Sequence, residues 1–340
     1  MASLKPSKSR SKSTKSKASK SSKSKTRYAK PRSSKSSKRK KSSFAHVPPT
    51  IGFLVAATTA GWQPYTEAFE EGLLTYGWVK GTDYNIDYEP PGGAAGDLKA
   101  IQDAAKQFVK SGVDLIVTAG TEAAKACRDA TAIVPIVFAS VGDPVDSGLV
   151  AKLSTPGGNL TGCSNMQTNL NVLAKRIDVM RTKHRPAVVG VIGNQKVEPV
   201  GAVMKQASGI LNNLPNVKAY LGDIPDKASI QTVIDNLYTA YKVDTLFVCS
   251  DPLLSACAEE IDNATASSAT GKRPQKIKAM YEFREYVDRH PNATQCYGPN
   301  FARLFGQAAW YVYQILNNKV SPGDLAVYLP SPSSYDLVPP

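Results

Sequence analysis

The sequence predicts an α/β protein built as two doubly wound parallel-sheet lobes, preceded by a disordered basic tail. Three observations predict it. From Ile51 onward, apolar runs of strand length alternate with amphipathic runs of helical spacing, and the rhythm restarts after the turn-rich STPGGN at 154–159. The connections between successive apolar runs are long enough to hold a helix, as parallel strands require, and near-continuous apolar strands are those covered on both faces. The charge is also segregated. Of the 42 Lys and Arg, 17 fall between Lys5 and Lys41, and no Asp or Glu lies in the first 50 residues. The remaining 25 basic residues face 28 acidic ones, so the rest of the chain carries about −3 and its partners cannot be read from the overall +14.

Each element has its own signal. IGFLVAA (51–57) reads as a first core strand, because Tyr65, Phe69, Leu73 and Tyr76 follow it at helical spacing. YNIDY (84–88) precedes Leu98, Ile101, Ala105 and Phe108; DLIVT (114–118) leads into a short helix near Thr121–Ala130; VPIVFA (134–139) closes the first half. In the second half a helix with Leu173, Ile177 and Met180 leads to AVVGVI (187–192), followed by a helix with Val203, Ala207, Ile210 and Leu214. VKAYL (217–221), a helix with Val233, Leu237 and Tyr241, DTLFVCS (244–250), a helix with Leu254, Cys257 and Ile261, and IKAMY (277–281) complete it. A last helix carries Phe301, Phe305, Ala308, Val312 and Ile315, and the Pro/Ser-rich end has one strand-like piece, Tyr335–Val338.

Composition removes several function classes. Residues 1–46 are Lys/Ser-rich and too polar and self-repelling to offset the entropy of ordering, so they read as disordered. Five cysteines without CxxC spacing, and three histidines far from them, suggest neither a disulfide framework nor a zinc site. No window approaches the ~18–20 apolar residues of a membrane-spanning helix. Ile51–Ala60 after the basic run has the look of a secretory signal with a very long n-region; read instead as the first strand, it leaves no clear signal peptide.

The motifs point to binding and away from catalysis. Pro91–Gly96 (PGGAAG) follows a strand and opens a helix, but it lacks the first glycine of a dinucleotide fingerprint and follows the second strand. No GxxxxGK[ST], GxSxG or HExxH occurs, and Cys249 or Ser250 has no identifiable His partner. No cofactor and no metal are implied. Ser140-Val141-Gly142-Asp143-Pro144 and Ser250-Asp251-Pro252 end strands in the two halves. Asp before Pro is an N-cap before a favoured first helical residue; at a strand's carboxyl end the same carboxylate is placed to accept a ligand ammonium, and both readings stand. Gly120-Thr121-Glu122 offers backbone N–H groups and the Thr121 hydroxyl to a carboxylate, or an ordinary Thr N-cap. Tyr281 and Phe283 follow the last strand, where they stack on a flat ligand or pack in the core. With two open α/β lobes, the default site is the cleft between strand carboxyl ends.

VPIVFASVGDPVDSGLVAKLSTPGGNLTGCS (134–164) closely resembles a block of the bacterial ABC-transporter substrate-binding proteins of the periplasmic-binding type I fold, in the group that includes tryptophan/tyrosine-type binding proteins. AFEEGLLTYGWVKGTDYNIDY (68–88), VCSDPLL (248–254) and AMYEFREYVDRHPNATQCYGPN (279–300) support it, and the resemblance covers about residues 50–338. It implies two lobes joined by a hinge: 51–163 with about 284–318 as the first, 164–283 with about 319–340 as the second. It implies a ligand pocket from Thr58 and Thr59, Thr118 and Thr121, Ser140 and Asp143, Asn194, Asp251 and Tyr281. Two departures stand out: a Lys/Ser tail replaces the usual signal peptide or lipoprotein Cys, and Val200-Gly201 follows Glu198-Pro199 where aromatic amino-acid binders often carry Asn-Ser.

The expected function is therefore a non-enzymatic, small-molecule binding protein of ABC-importer type, closing on an amino acid or related carboxylate and serving an ABC permease. The rival is a cytoplasmic ligand sensor or nucleic-acid-associated protein tethered by the tail, whose residues 5–41 are suited to polyanions. The resemblance implies a periplasmic or extracellular location; the missing signal keeps the cytoplasm open.

Overall fold

The structure, a computed structural model, describes residues 47–55, 59–89, 97–166, 168–272, 274–289 and 295–338. The basic tail, Thr58 and the Pro91–Gly96 turn lie outside the described residues. In the first half the apolar runs become β1 (Thr50–Val55), β2 (Asn85–Glu89), β3 (Leu115–Ala119) and β4 (Ile136–Val141), with α1 (Thr59–Leu74), α2 (Leu98–Ser111) and α3 (Thr121–Ala130) as crossovers. A further parallel strand, β5 (Leu160–Ser164), follows the PGGN turn; Thr161, Gly162 and Ser164 break its apolar pattern, so periodicity does not announce it. The sheet order is β2-β1-β3-β4-β5. Alternate residues serve opposite faces. Ile51, Phe53, Leu115, Val117 and Val137 pack under α1, whereas Leu54, Ile116, Ile136 and Phe138 pack against α2 and α3.

The second half repeats the plan: α4 (Leu170–His184), β6 (Val188–Gly193), α5 (Val200–Asn212), β7 (Lys218–Asp223), α6 (Ser229–Tyr241) and β8 (Thr245–Val248). The helix expected around Leu254–Ile261 is two, α7 (Pro252–Ala256) and α8 (Ala258–Ala266), meeting at Cys257, whose φ of −111° leaves the helical region. A small hairpin, β9 (Ser267–Ser268) and β10 (Gly271–Lys272), precedes β11 (Lys278–Tyr281), α9 (Arg284–Arg289), β12 (Gln295–Pro299), α10 (Phe301–Leu316) and β13 (Tyr335–Val338). Among the described residues the second sheet runs β13-β12-β11-β8-β6-β7, parallel except that β13 is antiparallel to β12. Val189, Val191 and Phe247 face α4 and α5; Leu246, Val248 and Ala279 face α6 and α8.

The tertiary pairing differs from the expected chain division near the end. Residues 284–318 are expected with the first lobe, yet β12 pairs with β11 and β13; of this stretch, α10 packs on the first sheet. The reason is that QCYGP is short and polar and hides a strand, although all five residues are buried. Residues 319–340 are expected with the second lobe. Tyr328 instead bridges Cys163 beside β5 and Val327 joins the first core, while Tyr335–Val338 returns to β12. Helix α10 can lie on α1 because Gly72 has no side chain: a Cβ there would sit 2.7 Å from the Ala309 Cβ and 2.8 Å from the Gly306 carbonyl oxygen.

His184, at the end of α4, is 7% exposed. Burial, with Lys278 and Lys183 nearby, pulls its imidazole down to about 4 from the ordinary 6.5. The unfolded chain takes that proton near pH 6.5 and the folded one near 4, so the stability contribution is intact above 6.5 and drains away as the pH falls to 4. Allowing for solvent screening, the loss is roughly 1–3 kcal/mol. Melting temperatures across that range should fall more steeply for the natural chain than for His184→Gln; parallel curves would remove His184 from the account.

Candidate functional site

The strand carboxyl ends of the two sheets carry the candidate residues. At the first sheet, Thr118 lies within β3 and is fully buried, Thr121 opens α3 at 7% exposure, and Ser140 lies within β4 at 2%. Gly120, not Thr121, occupies the N-cap of α3, and its N–H donates to the Ser140 carbonyl at 2.7 Å, tying the ends of β3 and β4 together. Thr59 is the first residue of α1.

The two Asp-Pro corners turn out to be different devices. Asp143 Oδ1 accepts from the Val145 and Asp146 N–H groups at 3.1 and 3.0 Å, capping a turn with no helix behind it. Its Oδ2 accepts from the Thr168 hydroxyl at 2.9 Å, reaching the segment that leads into α4. Asp251 is a true N-cap: Oδ1 accepts from Leu253 and Leu254 at 2.7 and 3.3 Å. Its Oδ2 accepts from the Asn194 N–H at 3.0 Å, which locks the loop after β6 to the end of β8. Asp251 is 2% exposed, and burial pushes its carboxyl up from the ordinary value against the pull of those three N–H groups. Asn194 is half-buried and spends its own Oδ1 on the Lys196 N–H at 3.1 Å.

An aromatic run crosses from one set of elements to the other. Tyr65 of α1 stacks on Phe305 at 5.3 Å and meets Phe301 edge-on at 5.1 Å. Phe301, the first residue of α10, meets Phe283 edge-on at 4.4 Å. Phe283 lies 6.3 Å from Tyr286, which stacks on Tyr281 at 5.2 Å and hydrogen-bonds Ser255. Tyr281 itself is 1% exposed and belongs to the core under α6 and α8, where burial raises its hydroxyl pKa. Phe283 is legible in the sequence as a stacking residue. Tyr65 and Phe301 are not, because helical spacing marks them only as core positions.

Beneath these ends, Arg176 of α4 and Glu282 form a buried ion pair, Nη2 to Oε1 at 3.0 Å, with side chains 1% and 0% exposed. Burial pushes the Glu282 carboxyl up; Arg176 and the Ser250 hydroxyl oppose it. Glu282 has no sequence signal, but helical spacing puts Arg176 on the apolar face of α4 with Val172, Leu173, Ile177 and Met180, and a charge at such a position is the signal that could have found the pair. Cys249 beside it has its thiol pKa raised by burial, which suppresses the thiolate a nucleophile needs. Among the described residues, no group of three His, Cys, Asp or Glu is arranged to hold a metal ion, and no helix is long and apolar enough to cross a membrane. Hydroxyls, backbone N–H groups and aromatic faces suit reversible capture of a small polar molecule with a flat part.

Residues 55–328 match the family model of ABC transporter substrate binding proteins. A tyrosine-binding protein of Clostridioides difficile (strain R20291) is 26% identical over 262 residues, which is 77% of this chain and 70% of that protein. Among solved structures, a conserved domain protein from Vibrio cholerae superposes with a TM-score of 0.72 at 22% identity, covering 86% of this chain and 92% of that one. An ABC domain in complex with L-Trp from Streptococcus pneumonia superposes with a TM-score of 0.70 at 19% identity, covering 84% and 90%. These likenesses bear out the fold of parallel-sheet lobes, and the family model covers most of the chain. The chain belongs to the ABC transporter substrate-binding proteins, binders of small molecules and not enzymes.

Proposed function

We propose that this protein captures an aromatic amino acid, L-tyrosine or L-tryptophan, between the strand carboxyl ends of its two sheets and presents it to an ABC permease outside the cytoplasm. The observation that carries the reading is the aromatic run from Tyr65 through Phe301 to Phe283, in which the half-buried rings of Tyr65 and Phe301 lie where the two sets of elements meet and the buried Phe283 backs them. In this reading each sheet with its helices is one lobe, and the segments between them are the hinge. Thr58, Thr59, Thr121, Asp143 and Asn194 supply polar contacts, while Thr118, Ser140, Asp251 and Tyr281 back them from below. Closure follows because only a ligand touching both edges stabilises the shut form. The tyrosine-binding relative and the L-Trp complex support the ligand class.

Calorimetry with L-tyrosine, L-tryptophan, L-phenylalanine and their indole and phenol carboxylate analogues tests it, with small-angle scattering on the same samples. The expected result is a Kd on the order of 1 μM or below together with a smaller radius of gyration. Binding without compaction would sink the closing mechanism; binding of none of the panel would sink the ligand class. The 17 charges between Lys5 and Lys41 support a phosphate-rich anionic partner for the tail. Comparing the full chain with residues 47–340 on anionic vesicles and duplex DNA at two salt concentrations separates a membrane tether from nucleic-acid contact, and equal affinities would remove the tail's role.

A further inference from the structure

We propose that Arg176 and Glu282 are positioning residues for the ligand site: their buried ion pair aligns, on the side of the second sheet, the three segments by which the chain passes between the sheets. The inference rests on the site lying between the two sheets. The first passage runs from β5 into α4, and Arg176 lies within that helix. The second runs from β12 into α10. Arg176 Nε donates to the Tyr297 carbonyl of β12 at 2.7 Å, just ahead of it, and Glu282 precedes Phe283, whose ring meets Phe301 at 4.4 Å just beyond it. The third ends at Tyr335, whose ring packs 5.4 Å from Tyr297, and the neighbouring Asp336 accepts from the Asn300 amide at 2.9 Å. Backbone packing at this junction is tight: a Cβ on Gly298 would sit 2.1 Å from the Glu282 carbonyl oxygen.

Stability does not explain the pair. Desolvating two charges completely costs about as much as their attraction returns, and an apolar pair of similar volume often serves the fold as well or better. What an apolar pair lacks is direction. The guanidinium is fixed in orientation by its Nε hydrogen bond to a carbonyl of one strand and holds its charge 3.0 Å from the carboxylate at the end of another, and those are the strand ends that carry Tyr281, Phe283 and Asn300.

The test is the double variant Arg176→Met/Glu282→Leu, with Arg176→Lys, which keeps the charge and loses the fork, as the variant to read if the first does not fold. Hydrogen exchange of the ligand-free protein is measured alongside melting temperature. Expected is exchange about tenfold or more faster over 295–301 and 331–338, with β6 and β7 unchanged and the melting temperature kept. In calorimetry, affinity for L-tryptophan should fall by about tenfold or more. Exchange and affinity equal to the natural chain would overturn the proposal, and so would uniformly faster exchange with a lower melting temperature, the mark of a purely structural pair. If the natural chain binds neither L-tryptophan nor L-tyrosine, the ligand assignment fails, and the exchange pattern still decides the role of the pair.

Discussion

Asp251→Ala is expected to destabilise the folded body by about 2–4 kcal/mol, a fall of roughly 5–10 °C in melting temperature. The carboxylate satisfies the N–H groups of Leu253, Leu254 and Asn194 at once, and the residue is 2% exposed. Alanine removes the α7 cap, worth about 1 kcal/mol, and also leaves the Asn194 N–H facing an apolar methyl group. Asp251→Asn should fall between, because an amide oxygen can still cap α7 while its NH2 group cannot accept from Asn194. Thermal melts and calorimetry on both variants rank the roles. A variant that keeps its melting temperature and loses affinity would mean that the carboxylate meets the ligand directly; the hydrogen bonds predict the opposite order.

Gly162→Ala should be at least as damaging, with about 3 kcal/mol or more lost. Gly162 pairs with Phe138 across β4 and β5 at a φ of +149°, and a Cβ there would fall 2.0 Å from the Phe138 carbonyl oxygen. Neither backbone can retreat without breaking the sheet edge on which Asp143 and Asn165 depend. Gly158→Ala is the control. Its φ is +68° with nothing within 4 Å of the added carbon, so it should cost only about 1 kcal/mol. Denaturant unfolding of the two variants separates strain from collision; equal midpoints would contradict the β4–β5 register.

The family-like block at 134–164 thus has a physical reading, since its last glycine is the place where β5 meets β4. The strands most legible in the sequence were the apolar ones covered on both faces, such as DLIVT and AVVGVI, where all but the leading residues are buried. Short strands with polar or turn residues, LTGCS and QCYGP, gave no such signal, because their burial comes from neighbours contributed by distant parts of the chain. The same limit applied to the candidate site. Asp143, Asp251 and Phe283 were visible because strand-end position and residue type already restrict what they can do. Tyr65 and Phe301 were indistinguishable from core residues until α10 was laid beside α1.

By itself the sequence determined the alternation of strand and helix, the parallel sheets, the separation of a basic tail from a near-neutral body, and the likeness that leads to the substrate-binding family. Periodicity and composition are local properties, and local chemistry suffices for them. Only the tertiary structure decided that β12 joins the second sheet while α10 returns to the first, that the two Asp-Pro corners serve a turn and a helix respectively, and that Arg176 and Glu282 meet in the dark beneath the strand ends. Each of these depends on which distant residue fills the space beside a given one: Gly72 leaving room for Ala309, Asn194 presenting its N–H to Asp251, Tyr297 turning its carbonyl to Arg176. Hydrogen-bond satisfaction and close packing act between residues far apart in the chain, and no spacing along it records them.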